Sequence, residues 1–179
     1  MNATVNTPLF PLIRHLSKFA TPVFIRLPVS ANMITTASMV TGLAAAWCVT
    51  LGTPGADIAA GVLFVITYIL DNCDGEIARL KDQCSTFGMR FDTFVDWVVH
   101  TALFAGLGIG AAARFDNELW FWVGMVAAAG GTINYILVFI LDARDKAAAG
   151  SEEEWAAGKT GETYRVPEGL SDWAVYIFR

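Results

Sequence analysis

Four long apolar stretches dominate this chain of 179 residues. They run approximately over 33–51, 56–71, 91–113 and 119–141. Each approaches the ~20 residues that an α-helix needs to cross the hydrocarbon core of a bilayer. Only 16% of the residues are charged, against about 25% in an ordinary soluble domain. The sequence therefore predicts an all-α fold, a polytopic transmembrane helix bundle, rather than one soluble domain.

The chain divides into three predicted regions. Residues 1–30 form a leader in which apolar residues recur at helical spacing among basic ones, which favours an amphipathic helix lying in the membrane interface over an irregular leader. Residues 31–141 form the membrane bundle. Residues 142–179 are predicted as a polar cytoplasmic loop followed by the start of a further helix near Ser171 and Asp172. Because that helix begins and does not finish, we expect a truncated chain.

Lysine and arginine predict the orientation of the bundle, since cytoplasmic loops are enriched in them. The connection between the first and second stretches has none, and the one between the third and fourth has only Arg114. The N-terminal leader, the connection between the second and third stretches, and the tail carry the rest near the membrane. These three regions are therefore predicted to be cytoplasmic. Their basic residues are Arg14, Lys18 and Arg26 in the leader, Arg79, Lys81 and Arg90 in the connection, and Arg144 and Lys146 in the tail.

Glycines are frequent in the third and fourth stretches. In membrane helices, small residues let two backbones approach closely. Glycine is also common in membrane helices for reasons of composition alone. The sequence leaves both explanations open for the six positions Gly106, Gly108, Gly110, Gly124, Gly130 and Gly131.

Acidic residues lie near the end of the second stretch and near the start of the third. Residues at i, i+3, i+4 and i+7 share one face of a helix, so positions 71, 74, 75 and 78 line one stripe and positions 88, 92 and 96 line another. If the two stripes face each other, four carboxylates meet in one place: Asp71, Asp74, Asp92 and Asp96.

Such an arrangement needs cations or protons. Two like charges about 4 Å apart repel by roughly 4 kcal/mol at an effective dielectric of 20. Oxygen ligands with no histidine or cysteine cluster suit Mg²⁺ or Mn²⁺ better than zinc, and four acids could hold two ions. Gly75 and Ala78 leave the acidic face without bulk, and Arg79 suits a phosphate group. Together these residues indicate a site for a nucleotide that contains a pyrophosphate.

The pattern resembles the signature of the CDP-alcohol phosphotransferase (CDP-alcohol phosphatidyltransferase) family, with every signature position matched. Upstream, residues 30–35 and Gly42 are similar to the Pro-Asn-x-x-Thr start of the family's first span, with Ala31 where proline is usual. The resemblance covers about residues 8–141. The matched signature is Asp71-x2-Asp74-Gly75-x2-Ala78-Arg79-x8-Gly88-x3-Asp92-x3-Asp96.

The resemblance implies a six-helix membrane bundle, of which this chain supplies about four spans, with the active site at the cytoplasmic side of the inner membrane. It implies that all four aspartates bind divalent metal, expected as two Mg²⁺ or Mn²⁺ ions, and that Asp96 is also the base for the acceptor hydroxyl. It assigns the CDP moiety to Gly75, Ala78, Arg79 and Asn32, although for Asn32 a helix-capping role is the simpler interpretation.

The expected activity is transfer of a substituted phosphate from a CDP-alcohol to an acceptor alcohol with release of CMP, in phospholipid biosynthesis. The expected partners are the CDP-alcohol donor, the acceptor alcohol and membrane lipid, with no nucleic acid; a homodimer is left open. A divalent-cation transporter and an inert membrane scaffold are the alternatives. His100, one turn beyond Asp96, is either an acceptor contact or a core histidine, and Arg90 either binds an acceptor phosphate or extends to the interface.

Overall fold

The structure is a computed structural model, and it describes residues 20–149. Every regular element in that range is a helix, which confirms the all-α prediction. A helical segment at 20–26 is α1. The long helices are α2 (Ala31–Thr50), α3 (Pro54–Leu80), α4 (Thr86–Phe115) and α5 (Leu119–Ala149). The rest of the predicted interfacial helix and the tail from residue 150 lie outside the described residues.

Local capping chemistry sets where the long helices begin. The hydroxyl oxygen of Ser30 accepts a hydrogen bond from the backbone N–H of Met33 at the start of α2. Thr53 caps α3 in the same way, with Pro54 as the first helical residue. The Ser85 hydroxyl accepts from the N–H of Gly88, so α4 begins five residues before the predicted start at 91. These side chains satisfy N–H groups that have no partner within the helix.

Four helices are long and apolar enough to cross a membrane: Ala31–Thr50, Pro54–Leu80, Thr86–Phe115 and Leu119–Asp145. The polytopic prediction is confirmed. The two middle helices have 27 and 30 residues, more than a ~30 Å hydrocarbon core requires, so their ends reach the polar interface. α5 continues to Ala149, eight residues past the predicted end at 141, and the first part of the predicted loop is therefore helical.

α2 is the helix against which both α3 and α4 pack. Its inward face is built from small residues; Gly42, for example, has no room for a side chain, because a Cβ there would lie 2.6 Å from Cγ1 of Val99 on α4. Its outward face carries exposed apolar side chains such as Val40 and Trp47, as expected of a surface that meets lipid. Side chains connect α3 and α4, as Tyr68 and His100 do. The buried face of α2 that carries Thr35 and Ser38 packs against these helices, and Thr35 hydrogen-bonds to Asp74 of α3.

Residues 20–135 belong to one compact unit, and helical residues 136–149 belong to a second. All of the candidate site residues lie in the first unit. The end of α3 is tied to the chain before α2 through Lys81, whose Nζ donates to the carbonyl oxygens of Phe24, Leu27 and Val29 at 3.2, 2.8 and 2.9 Å. These bonds fix α1 beside the end of α3 where the acidic residues lie.

Candidate active site

Three carboxylates meet between α3 and α4. Asp71 and Asp74 lie one turn apart on α3, and Asp92 lies in the second turn of α4. One oxygen from each of the three lies within 4.8 Å of the others. The two acidic stripes therefore do face each other, a relation that the helical spacing alone left open.

The surroundings of this carboxylate group fit a bound cation. Asp74 is only 5% exposed, and its Oδ2 accepts a hydrogen bond from the Thr35 hydroxyl on α2. Oδ1 of Asp92 is buried and has no hydrogen-bond partner among residues 20–149. A buried polar atom left in this way carries a desolvation cost that a ligand can remove. Three oxygen donors with no nitrogen or sulfur ligand match the preference of Mg²⁺ or Mn²⁺.

Asp96 lies outside this close group, so the expectation that all four acids meet in one place is met by three. Its side chain is exposed and lines a small cavity next to the carboxylate group, which Asp71 also lines. One more turn of α4 separates it from Asp92, and that rise of about 6 Å carries it past the other three. Asp71 is the residue that connects the carboxylate group with the cavity.

Three of the four residues predicted to meet the CDP moiety, Gly75, Ala78 and Arg79, lie near the end of α3. Arg79 is exposed, and a Cβ added to Gly75 would meet only its guanidinium, at 3.6 and 3.9 Å. Ala78 packs against the buried cluster that contains Cys73 and Ile77. The backbone beside Asp74 is therefore open on the side of Gly75, with the positive guanidinium of Arg79 as its neighbour, which suits an anionic ligand.

Asn32 is not the helix cap, because Ser30 holds that position. Its side chain is exposed, and its Oδ1 lies 3.4 Å from where a Cβ on Gly88 would be. The start of α2 and the start of α4 are thus close together at the same end of the bundle as the acids. Gly88 leaves space there for the Asn32 amide.

Sequence reasoning missed Tyr68. Its hydroxyl lies 3.3 Å from Nε2 of His100, and Nδ1 of His100 lies 2.7 Å from the backbone carbonyl oxygen of Asp96. Both rings line the cavity beside Asp96. The signal was present, since Tyr68 precedes Asp71 by three residues and therefore shares its helical face, but aromatic residues are common in membrane spans and this one did not stand out.

Comparison with known proteins identifies the family of the chain. Residues 28–161 match the family described as CDP-alcohol phosphatidyltransferase. The chain is 29% identical over 105 residues to the bifunctional IPC transferase and DIPP synthase of Thermococcus kodakarensis, an overlap of 59% of this chain and 23% of the relative. It is 34% identical over 90 residues to the protein of the same name from Rubrobacter xylanophilus, an overlap of 50% and 19%.

The matched regions thus span about a fifth to a quarter of the length of these curated relatives. No solved structure matches the chain. The family match covers α2 to α5 and includes every acidic residue of the site. The chain therefore belongs to the CDP-alcohol phosphatidyltransferase family.

Proposed function

We propose that this protein is a membrane transferase that moves a substituted phosphate from a CDP-alcohol to an acceptor alcohol and releases CMP. The observation that carries the proposal is the meeting of Asp71, Asp74 and Asp92 within 4.8 Å, beside the open backbone at Gly75. The family match supports the same reaction, and the relatives are named as a transferase and a synthase. The donor is CDP-diacylglycerol or a CDP-linked polyol, and the pathway is phospholipid biosynthesis.

Divalent metal belongs to this proposal. Asp71, Asp74 and Asp92 would hold Mg²⁺ or Mn²⁺, and with Asp96 as a further ligand the site would take two ions. Bound there, the ions supply neutralisation of the negative charge on the pyrophosphate and on the departing CMP. The Thr35 hydroxyl holds the Asp74 carboxylate in place from α2, as hydrogen bonds from outside a metal site commonly do.

The nucleotide is assigned to the end of α3. Gly75 and Ala78 give the CDP moiety a surface without bulk, and the exposed guanidinium of Arg79 can move from Gly75 onto a phosphate oxygen. Asn32 is assigned to the same ligand from the start of α2, where its side chain is exposed. These four roles are part of the proposal.

Asp96 is proposed as the base. The acceptor oxygen forms a new bond to the phosphorus that carries the donor alcohol, the bond from that phosphorus to the CMP oxygen breaks, and the acceptor proton passes to Asp96. Its place on the cavity wall, outside the group of three, leaves its carboxylate open to an incoming alcohol. The remaining partner in the proposal is membrane lipid.

We also propose that the site faces the cytoplasm of the inner membrane, from the distribution of lysine and arginine. The native thiol of Cys84, exposed between α3 and α4, should react with an impermeant maleimide only from the cytoplasmic side. A thiol introduced by Asn117→Cys, between α4 and α5, should react only from the other side. Reversal of the two accessibilities would overturn the orientation.

The activity is tested by CMP release. Purified protein in detergent or vesicles is given Mn²⁺, CDP-diacylglycerol or CDP-inositol, and inositol phosphate, glycerol 3-phosphate or serine as acceptor. We expect CMP and a phosphodiester product from at least one pair, loss of both in EDTA, and recovery with Mg²⁺ or Mn²⁺. CMP release that persists in excess EDTA would contradict the metal assignment. Absence of CMP release with every donor and acceptor pair would contradict the proposed function.

A further inference from the structure

The turn between α3 and α4 is joined to the start of α2 by two side chains. Lys81 donates to three carbonyl oxygens in the segment that precedes α2. Two residues later, Oε1 of Gln83 accepts a hydrogen bond from the backbone N–H of Ala31 at 2.9 Å. Ala31 is the first residue of α2, so the turn contacts α2 at the point where that helix begins.

The way in which α3 ends places Gln83 for this bond. Asp82 has a φ of 58°, in the left-handed region, and the N–H of Gln83 donates to the carbonyl oxygen of Ala78 at 2.8 Å. This is the Schellman arrangement, in which the chain beyond a helix end hydrogen-bonds back to the last turn of the helix. The backbone of Gln83 is therefore fixed to α3 while its side chain reaches α2.

The N–H of Ala31 needs an acceptor from outside α2. The first N–H groups of a helix have no carbonyl partner within that helix, and the Ser30 hydroxyl accepts from Met33. Ala31 is only 7% exposed, and a buried N–H without an acceptor is costly. Gln83 supplies the acceptor. Ala31 stands where proline is usual in the family, and a chain with proline there cannot make this bond, because proline has no N–H.

The first turns of α2 carry two groups that serve the site. Asn32, next to Ala31, is assigned to the CDP moiety, and Thr35, one turn further along, donates to Asp74. The carboxylates of the close group lie on α3 and α4, on either side of the turn that contains Gln83. A bond from this turn to the start of α2 therefore connects all three helices that form the site.

We propose that Gln83 is a positioning residue of the donor site, an inference that rests on the proposed function. Through the N–H of Ala31 it holds the start of α2 where Asn32 meets the nucleotide and Thr35 reaches Asp74. Without this bond the start of α2 takes up other positions in the free protein. The affinity for the donor then falls with the fraction of molecules that is ready to bind, whereas the chemical step on the bound donor is unchanged.

The test compares Gln83→Met in the parent and in an Ala31→Pro background. Methionine keeps the length of the side chain and lacks the amide oxygen. Proline removes the N–H and suits the first position of a helix, and Ser30 before it is already extended, with a φ of −88° and a ψ of 159°. The donor is CDP-diacylglycerol or CDP-inositol, whichever the parent binds more tightly in Mn²⁺, measured by calorimetry.

In the parent, Gln83→Met should raise the donor Kd about fivefold, within the range that one hydrogen bond supplies. In the Ala31→Pro background the same substitution should change the donor Kd by less than about twofold, because the bond is already absent. Steady-state CMP release gives a second measurement. The donor KM should rise with the Kd, while kcat at saturating donor stays within about twofold, a division that a general loss of stability would not produce.

Asn117→Leu is the matched control. Oδ1 of Asn117 accepts from the backbone N–H of Leu119 at 2.9 Å, the same kind of bond at the start of α5 and at the other end of the bundle. Its removal should leave the donor Kd and the donor KM unchanged, whatever its effect on the thermal midpoint.

The outcomes separate this inference from the proposed function. A parent protein that binds neither donor overturns both. A parent that binds a donor but releases no CMP overturns the function, and the donor Kd values of the variants still decide the inference. An unchanged donor Kd in Gln83→Met, an equal rise in both backgrounds, or an equal rise in Asn117→Leu would overturn the positioning role of Gln83.

Discussion

The two ends of the helix bundle use glycine in opposite ways. Near the acids, a Cβ on Gly75 would meet only the flexible guanidinium of Arg79, at 3.6 Å. At the other end, a Cβ on Gly106 would lie 2.6 Å from the backbone oxygen of Ala46, and one on Gly108 would lie 2.7 Å from Cα of Gly124. Gly75 leaves room for a ligand, whereas Gly106 and Gly108 allow helix backbones to pack in direct contact.

The charged side chains also differ between the two ends: they are paired with opposite charges at one end and face like charges at the other. Asp57 of α3 and Arg114 of α4 form an ion pair of 2.7 Å at the end that contains the close-packed glycines. At the acidic end Asp71, Asp74 and Asp92 face one another. Carboxylates that face carboxylates are costly without a ligand, so the acidic end is arranged for binding and the glycine end for stability. Substitutions at the two ends should therefore affect different measurements.

The largest expected effect concerns the roles within the acid set. Asp96→Asn keeps the size of the side chain and an oxygen that can bind metal but removes its basicity, so transfer should fall by about 10²-fold or more, the scale of lost general-base catalysis, while donor affinity is kept. Asp74→Asn should weaken Mn²⁺ and donor binding together, because a carboxylate of the close group is lost. Calorimetry with the CDP-donor and single-turnover CMP release measure the two quantities.

Two results would change this division of roles. If Asp96→Asn loses donor affinity as severely as Asp74→Asn does, Asp96 is mainly a metal ligand, despite its position outside the group of three. If it transfers at nearly the parent rate, no side-chain base is needed at that position. Thermal midpoints of both variants should stay near that of the parent, since neither substitution changes side-chain volume.

The next effect concerns the open backbone beside Asp74. Gly75→Leu should lower CDP-donor affinity at least tenfold, because the new side chain fills the surface assigned to the nucleotide, and the fold should persist because a Cβ there meets only the Arg79 guanidinium, at ordinary contact distance. Gly61→Leu on the same helix is the control, since a Cβ there meets nothing within 4 Å. Calorimetry with the CDP-donor on both variants makes the comparison. Equal donor affinities would show that the nucleotide does not bind at Gly75.

Much of the site was predictable because helical periodicity connects sequence to geometry. The spacing of Asp71 from Asp74 places them on one face of α3, and the spacing of Asp92 from Asp96 does so on α4. Periodicity within one helix does not fix how two helices are rotated and shifted against each other. The pairing of Tyr68 with His100, and the exclusion of Asp96 from the close group, depend on that relation.

Helix ends and glycine roles were beyond the sequence for a different reason. Hydropathy marks the part of a helix that lies in lipid, and the polar turns at 86–90 and 142–149 carry no such signal. For the glycines, the structure distinguishes two groups that composition cannot. Gly106, Gly108, Gly110 and Gly124 are in close contact with neighbouring helices, while a Cβ at Gly130 meets nothing within 4 Å and one at Gly131 meets only Thr101, at 3.9 Å.

The smallest expected effect on activity, and the clearest on stability, comes from Gly110→Ala. A single methyl group at this position would collide with the backbone oxygen of Val49 and come within 3.0 Å of its carbonyl carbon. Backbone cannot move aside as the end of a side chain can, so α2 and α4 must separate locally. Overpacking of this kind costs about 1–3 kcal/mol, and the thermal midpoint in detergent should fall.

Gly61→Ala is the matched control for this stability comparison, because it makes the same chemical change in a membrane helix where nothing lies within 4 Å. Alanine in a helix is favoured over glycine by about 0.5–1 kcal/mol, so its thermal midpoint should equal or exceed that of the parent. Below its midpoint, Gly110→Ala should keep the parent's donor affinity and CMP release, since the acids lie at the other end of α3 and α4. A variant that keeps its midpoint but loses donor affinity would contradict the separation of a binding end from a stability end, and would mean that close packing of α2 on α4 positions the carboxylates.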